Sequence, residues 1–158
     1  MNGKDDGVMV QTNQEKRQAR LAILARAGAK QMLALWKPLG LDPCCEMVRG
    51  PETGLLALRG RMGGGGAPFN FGEATVTRAT VRLEDGTLGH SVMLGRNAAK
   101  AQLAAVIDAL AEQPEFSNLV EEKIVLPLQE QLSQQDDVAQ AEAEATKVSF
   151  FTMVRGDD

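Results

Sequence analysis

The chain has 158 residues, 44% hydrophobic and 24% charged, with 17 Lys and Arg set against 21 Asp and Glu. That length suits one domain with its own core. A net charge of −4 argues against a nucleic-acid binder, which needs a basic face, but leaves room for a small anion held by a few local arginines.

No apolar run approaches the roughly 20 residues of a membrane span. The opening MNGKDDGVMV lacks the apolar core of a secretion signal. Cys44 and Cys45 are adjacent and too strained to bridge each other, so no disulfide framework is implied and a reducing cytoplasm fits best. A metal site needs more ligands than these and the single histidine, His90, supply.

Residues 1–11 are polar and glycine-spotted, the composition of a disordered tail, which leaves a single domain over 12–158. Thr12, with Glu15 three residues on, forms a capping-box pattern that predicts a helix to about Arg26. Leu21, Leu24 and Ala25 share one face of it, with Lys16, Arg17 and Arg20 toward solvent. A second helix is predicted over 29–37, burying Leu33 and Trp36 and ended by Pro38 and Gly40.

Residues 44–49 read as a short strand, Pro51 to Gly54 as a turn, and 55–62 as a strand with Leu56, Leu58 and Met62 on one face. The glycine run Gly63 to Gly66 follows, then a long strand over 72–84. Its apolar parity passes from Ala74 and Val76 to Ala79, Val81 and Leu83, which predicts a bulge near Thr77-Arg78. Asp85-Gly86 has the composition of a two-residue type I′ turn. The return strand sets Leu88, His90, Val92 and Leu94 on one face, so the sheet is mainly antiparallel.

Asn97 caps a helix to about Gln113 with a stripe of Leu103, Val106, Ile107 and Leu110. Pro114 opens another, with Leu119, Val120 and Ile124 inward, and Pro127 is expected to kink or end it. Residues 128–146 have high helix propensity but little to pack, as in a peripheral helix or one completed by a partner. The chain closes on VSFFTMVRGDD, where Val148, Phe150 and Val154 alternate with Phe151 and Met153. A strand apolar on both faces is an aggregation hazard at an edge, so it belongs centrally in the sheet or across a subunit boundary. The predicted class is α+β: a mainly antiparallel sheet with an N-terminal helical pair and C-terminal helices packed on it, closing with an apolar strand.

A glycine-rich loop can cradle phosphate with its backbone N–H groups. Here the run lacks the Gly-Lys-Ser/Thr ending and the following helix of a phosphate-binding loop. Nearby charge sustains an anion reading, because guanidinium groups match phosphate and phosphonate oxygens in bidentate geometry. The candidate anion-binding set is Arg59, Arg61, Gly63, Gly64, Arg78 and Arg82. His90 shares its face with Leu88 and Val92, where a packed histidine is the plain expectation, and no partnered nucleophile or carboxylate makes it a general base. No catalytic or metal set is complete. An alternative reading is a free-standing small-anion binding module or enzyme using Arg78, Arg82 and His90.

The order of short motifs is distinctive: Glu52-Thr53-Gly54-Leu55, Arg61-Met62-Gly63-Gly64, Gly72 to Ala79 (GEATVTRA), Leu83 to Gly89 (LEDGTLG), Gly95-Arg96, Ile107-Asp108-Ala109-Leu110, and Phe150 to Asp157 (FFTMVRGD). From about Arg20 onward this series resembles the PhnG family of the bacterial carbon–phosphorus lyase system. The resemblance implies an accessory subunit of a core complex with the subunits PhnH, PhnI and PhnJ, two copies of each. That complex transfers an alkylphosphonate onto the ribose C1 of ATP or GTP, releasing the purine base. It implies no catalytic residue, metal or cofactor in this chain, with ATP or GTP the substrate of the complex. Phe150, Phe151, Met153, Val154 and Arg155 are the expected subunit-interface residues.

Overall fold

In the computed structural model, which describes residues 12–63 and 65–146, the capping box forms as expected. Thr12 Oγ1 accepts from the Glu15 N–H at 3.2 Å, and the Thr12 N–H donates to the Glu15 carboxylate at 2.8 Å. Helix α1 then spans Asn13–Arg26 and α2 spans Ala29–Trp36. The fully buried residue of α2 is Met32, while Leu33 is exposed and Trp36 half-buried. Trp36 packs against the core as expected, but in so short a helix periodicity fixes the apolar face only to within a residue, and Met32 takes the buried place expected of Leu33. The predicted tail over 1–11 and the apolar strand over 148–154 lie outside the described residues.

Three strands, β1 (Cys45–Arg61), β2 (Pro68–Leu83) and β3 (Leu88–Leu94), form one antiparallel sheet in the order β1-β2-β3. The two short strands and the turn predicted over 44–62 are a single long strand. Pro51 to Gly54 makes no turn, because the chain absorbs Gly50 and Pro51 as a bulge. Arg49 faces Thr80 and Glu52 faces Arg78, so two residues of β1 oppose Ala79 alone. Proline has no N–H for the ladder, and a bulge leaves that position free. β2, by contrast, pairs with β3 without interruption from Val76↔Leu94 to Arg82↔Leu88. No bulge lies at Thr77-Arg78. The inward residues are Thr77, Ala79, Val81 and Leu83, and Thr77 is a buried polar member of that row. Its hydroxyl donates to the Gly95 carbonyl at 2.7 Å, which is why a polar residue is tolerated there.

The β2–β3 connection also differs from a two-residue turn. The Gly86 N–H bonds the Leu83 carbonyl and the Leu83 N–H bonds the Thr87 carbonyl, both at 2.9 Å, with Gly86 at φ +89°. This is a three-residue hairpin loop closed by a left-handed glycine. Asp85 shapes it by accepting from the Thr87 N–H at 2.9 Å and the Thr87 hydroxyl at 2.7 Å.

Helix α3 (Ala98–Glu112) lies across the inward face, capped by Asn97 Oδ1 accepting from the Lys100 N–H at 2.9 Å. It is buried almost all round, with Ala105 and Ala109 at the closest approach to β3. Gly89 explains that approach. A Cβ built on it would sit 2.0 Å from the Ala105 carbonyl oxygen and 2.7 Å from the Ala109 Cβ. Glycine on the strand and alanines on the helix let the two backbones nearly touch. The inward side of β3 is therefore Gly89, Ser91 and Met93, and the apolar row Leu88, Val92 and Leu94 faces outward with His90.

The chain continues through α4 (Pro114–Val120), a π turn (Glu121–Val125) and α5 (Leu126–Ala145). Pro127 does not end this helix. The wide turn before it, in which the Leu126 N–H reaches back to the Glu121 carbonyl, accommodates a ring that donates no hydrogen bond. Only Leu128 and Leu132 of α5 are buried, consistent with a peripheral helix. The distal ends of β1 and β2 form a two-stranded arm on which no other described element packs, leaving Leu55 66% and Phe71 60% exposed.

Replacing Gly89 by Ala should destabilise the protein by about 2–3 kcal/mol, because the clash is with helix backbone rather than a flexible side chain. Urea denaturation of the variant measures this, and a change within about 0.5 kcal/mol would show that the strand and helix have room to separate.

Candidate functional site

Arg20 belongs to the core and does not face solvent. Its guanidinium donates to Asp108 Oδ1 at 3.1 Å and to the Glu112 carboxylate. Arg17, one turn earlier, donates to Asp108 Oδ2 at 2.7 Å and to the Leu88 carbonyl at 3.0 Å. The His90 backbone N–H also donates to Asp108 Oδ2, at 3.0 Å. Asp108 is 0% exposed, so one buried carboxylate ties α1, α3 and the outer edge of β3 together. Burial works against the Arg17 charge, but the hydrogen bond and charge of Asp108 outweigh it and hold the guanidinium above its ordinary pKa. Helical periodicity placed Arg17 and Arg20 outside because it reads a long cation as solvent-facing. The available signal was an acidic residue, Asp108, inside the apolar run Ile107 to Leu110.

The outward face of the sheet carries a second charged group. Arg78 Nε donates to Glu52 Oε1 at 2.6 Å and Arg49 Nε to the same oxygen at 2.7 Å, closing a clasp over the β1 bulge. Arg78, then Arg49, hold the Glu52 carboxyl below the usual glutamate value. Arg82 lies 3.6 Å from Glu46, and His90 Nδ1 lies 3.2 Å from the Thr80 hydroxyl. His90 is exposed rather than packed, because its strand presents this row outward. A cavity of about 250 Å³ beside it is lined by Leu21, Ala22, Ala25, Ser91 and Val92, with no arginine. Cys44 is exposed, and its hydrogen bond to the Glu84 carboxylate pushes the thiol pKa up, away from a reactive thiolate.

The candidate anion-binding residues fall into two groups. Arg78 and Arg82 sit on the sheet body. Arg59 pairs with Asn70 and Arg61 with Pro68, near the tip of the arm with Gly63. The strand from Asn70 to Arg78 separates the groups by about 26 Å. Gly64 and the expected interface residues Phe150, Phe151, Met153, Val154 and Arg155 lie outside the described residues. Among the described residues no cluster of His, Cys, Asp and Glu could hold a metal ion, and no helix is long and apolar enough to cross a membrane.

Fold and surface together define an α+β scaffold whose buried ion pairs serve packing and whose arm and outer sheet face stand open. Residues 15–156 match the family described as phosphonate metabolism protein PhnG. Over 147 residues the chain is 46% identical to a Rhizobium meliloti (strain 1021) protein named α-D-ribose 1-methylphosphonate 5-triphosphate synthase subunit PhnG, covering 90% of this chain and 91% of that one. The chain belongs to the PhnG family.

Two outcomes follow from the charged groups. Asp108→Ala leaves Arg20 buried beside a lost counter-charge and should cost about 3–5 kcal/mol in urea denaturation. A loss below about 1 kcal/mol would make the cluster incidental. Glu52, with its pKa depressed when folded, contributes its clasp above the ordinary glutamate value of 4.5 and loses it as pH falls through the lower folded value. An NMR titration should place its midpoint below 4.5, and a midpoint at or above it contradicts the clasp.

Proposed function

We propose that this chain is an accessory subunit of the carbon–phosphorus lyase core complex, assembled with PhnH, PhnI and PhnJ in two copies each. Its task is to hold that assembly in the form that moves an alkylphosphonate onto the ribose C1 of ATP or GTP. In that step the C1–N bond to the purine breaks as a C1–O bond to the phosphonate forms. The observation that carries this reading is the 46% identity, across nine-tenths of both chains, to a named synthase subunit. The geometry is compatible with it. Asp108, Arg17 and Arg20 are engaged with one another in the core, and Glu52, Arg49 and Arg78 with one another on the sheet.

On this reading the nucleotide is the substrate of the complex, and this chain holds no cofactor and supplies no acid, base or nucleophile. Arg59 and Arg61 are on this reading the candidates to meet an anion bound by a neighbouring subunit. They stand near the end of an exposed arm, and no ion pair with a described residue occupies them. A guanidinium lost from a charge-assisted contact should lower activity about tenfold or more.

Co-expression of the complex with and without this chain tests the main claim. Omission should abolish both a stable assembly and release of purine base from ATP in the presence of methylphosphonate. Equal assembly and equal base release without it would contradict the accessory role. Within the assembled complex, Arg61→Ala should depress base release while the complex still elutes intact. Unchanged release would remove Arg61 from any anion contact.

A further inference from the structure

At the end of the sheet away from the arm, the β2–β3 hairpin loop, the segment before β1 and the junction of α3 with α4 enclose a cavity of about 390 Å³. Its floor is apolar. Leu83 of β2 and Leu110 of α3 are buried there, and Phe116 of α4 is half-buried. Its mouth is acidic. Asp42, Glu84, Asp85 and Glu115 stand around it, all exposed, and no lysine or arginine is part of the lining. None of these four carboxylates forms an ion pair with a described residue. Acids elsewhere on the surface do have counter-charges: Glu52 meets Arg49 and Arg78, Glu46 meets Arg82, and Asp136 meets Arg26.

The acidic mouth is also held in place. Asp85 accepts from the Gln113 side-chain amide at 2.8 Å, which ties the hairpin loop to the end of α3. Bonds from Gln113 and then Thr87 hold the Asp85 carboxyl below the ordinary aspartate value, so it keeps its charge. Like charges gathered without a counter-ion favour any cation that comes among them.

We propose that this cavity docks an arginine side chain of a partner protein. The apolar floor suits the methylene stem, which arginine buries while its charged head stays in polar surroundings. Phe116 supplies an aromatic ring, the kind of surface on which guanidinium groups stack. The carboxylates of the mouth match the fork of donors at the tip. A metal ion needs several ligands converging on one point, and among the described residues no three of His, Cys, Asp and Glu do so. Phosphate and phosphonate groups are repelled here, so the cavity takes a ligand opposite in charge to any anion met by Arg59 and Arg61.

That the partner is another subunit of the complex rests on the reading proposed above, whereas the chemistry of the cavity does not. An NMR titration of the isolated full chain with the peptide acetyl-Gly-Arg-Gly-amide tests that chemistry. The backbone amide signals of Glu84, Gln113 and Phe116 should shift and saturate, with a Kd on the order of millimolar. The same peptide with citrulline in place of arginine keeps the shape and loses the charge, and should bind about tenfold more weakly or not at all. Glu84→Gln combined with Glu115→Gln should remove the saturable shifts while the far-UV circular dichroism spectrum stays unchanged. Equal binding of the two peptides, or shifts spread over exposed acids elsewhere, would overturn the proposal. Carbodiimide labelling of carboxylates then tests the source of the arginine. Glu84 and Glu115 should be labelled in the isolated chain and lose that labelling in the co-expressed complex. Equal labelling in an intact complex would overturn docking by a partner and leave the accessory role standing. Omission of the chain, which tests that role, does not involve these carboxylates, so the two claims fail separately.

Discussion

The buried carboxylate of Asp108 is the interaction on which the rest of the architecture depends. It accepts from two guanidinium groups and one backbone N–H while fully enclosed. A lone ion there would be prohibitively costly, but paired and fully hydrogen-bonded it fixes geometry that apolar contacts alone leave loose. Leu24 is the one apolar residue of α1 that is fully buried, so apolar contact alone fixes the helix's register weakly. Arg17 and Arg20 pin it at one register, and the same carboxylate seals half of the β3 edge.

Close packing of α3 on β3 is the companion constraint. Gly89 and the alanines of α3 bring the backbones together, which pulls Asp108 into reach of His90 N–H and turns the odd-numbered residues of β3 inward. The row Leu88, His90, Val92 and Leu94 must then face outward. An exposed apolar row on a sheet whose other face is already covered marks a surface for another chain. The unpacked arm of β1 and β2 extends that open surface away from the core. Two motifs of the family series, LEDGTLG and IDAL, thus have a structural explanation in the loop glycine Gly86, the contact glycine Gly89 and the buried Asp108.

Much of the fold was legible in the sequence wherever a local device dictates the backbone. The Thr12 capping box, the Asn97 cap, the hairpin glycine and the thin apolar content of α5 act through neighbours in the chain, and each shows in the pattern. What escaped depends on distant partners. Arg20 reads as a surface cation until Asp108, 88 residues on, is placed beside it. Pro51 reads as a turn until β2 runs past it and leaves Ala79 to face a bulge. Thr77 reads as a break in parity until the Gly95 carbonyl supplies its partner. The same limit governs the candidate site: a list of arginines carries no distances, and only the strand register shows that Arg61 and Arg82 stand near opposite ends of a long ribbon, with Arg78 midway.

The central claim is that the core is self-sufficient and that the arm and open sheet face exist to be covered. Hydrogen exchange of the backbone amides, compared between the isolated chain and the assembled complex, tests it most directly. The account predicts strong new protection over residues 55–75 on assembly, with the amides of α3 equally slow in both states. Protection gained across α3 with none in the arm would contradict it, because the core would then owe its order to the partners and the arm would have none.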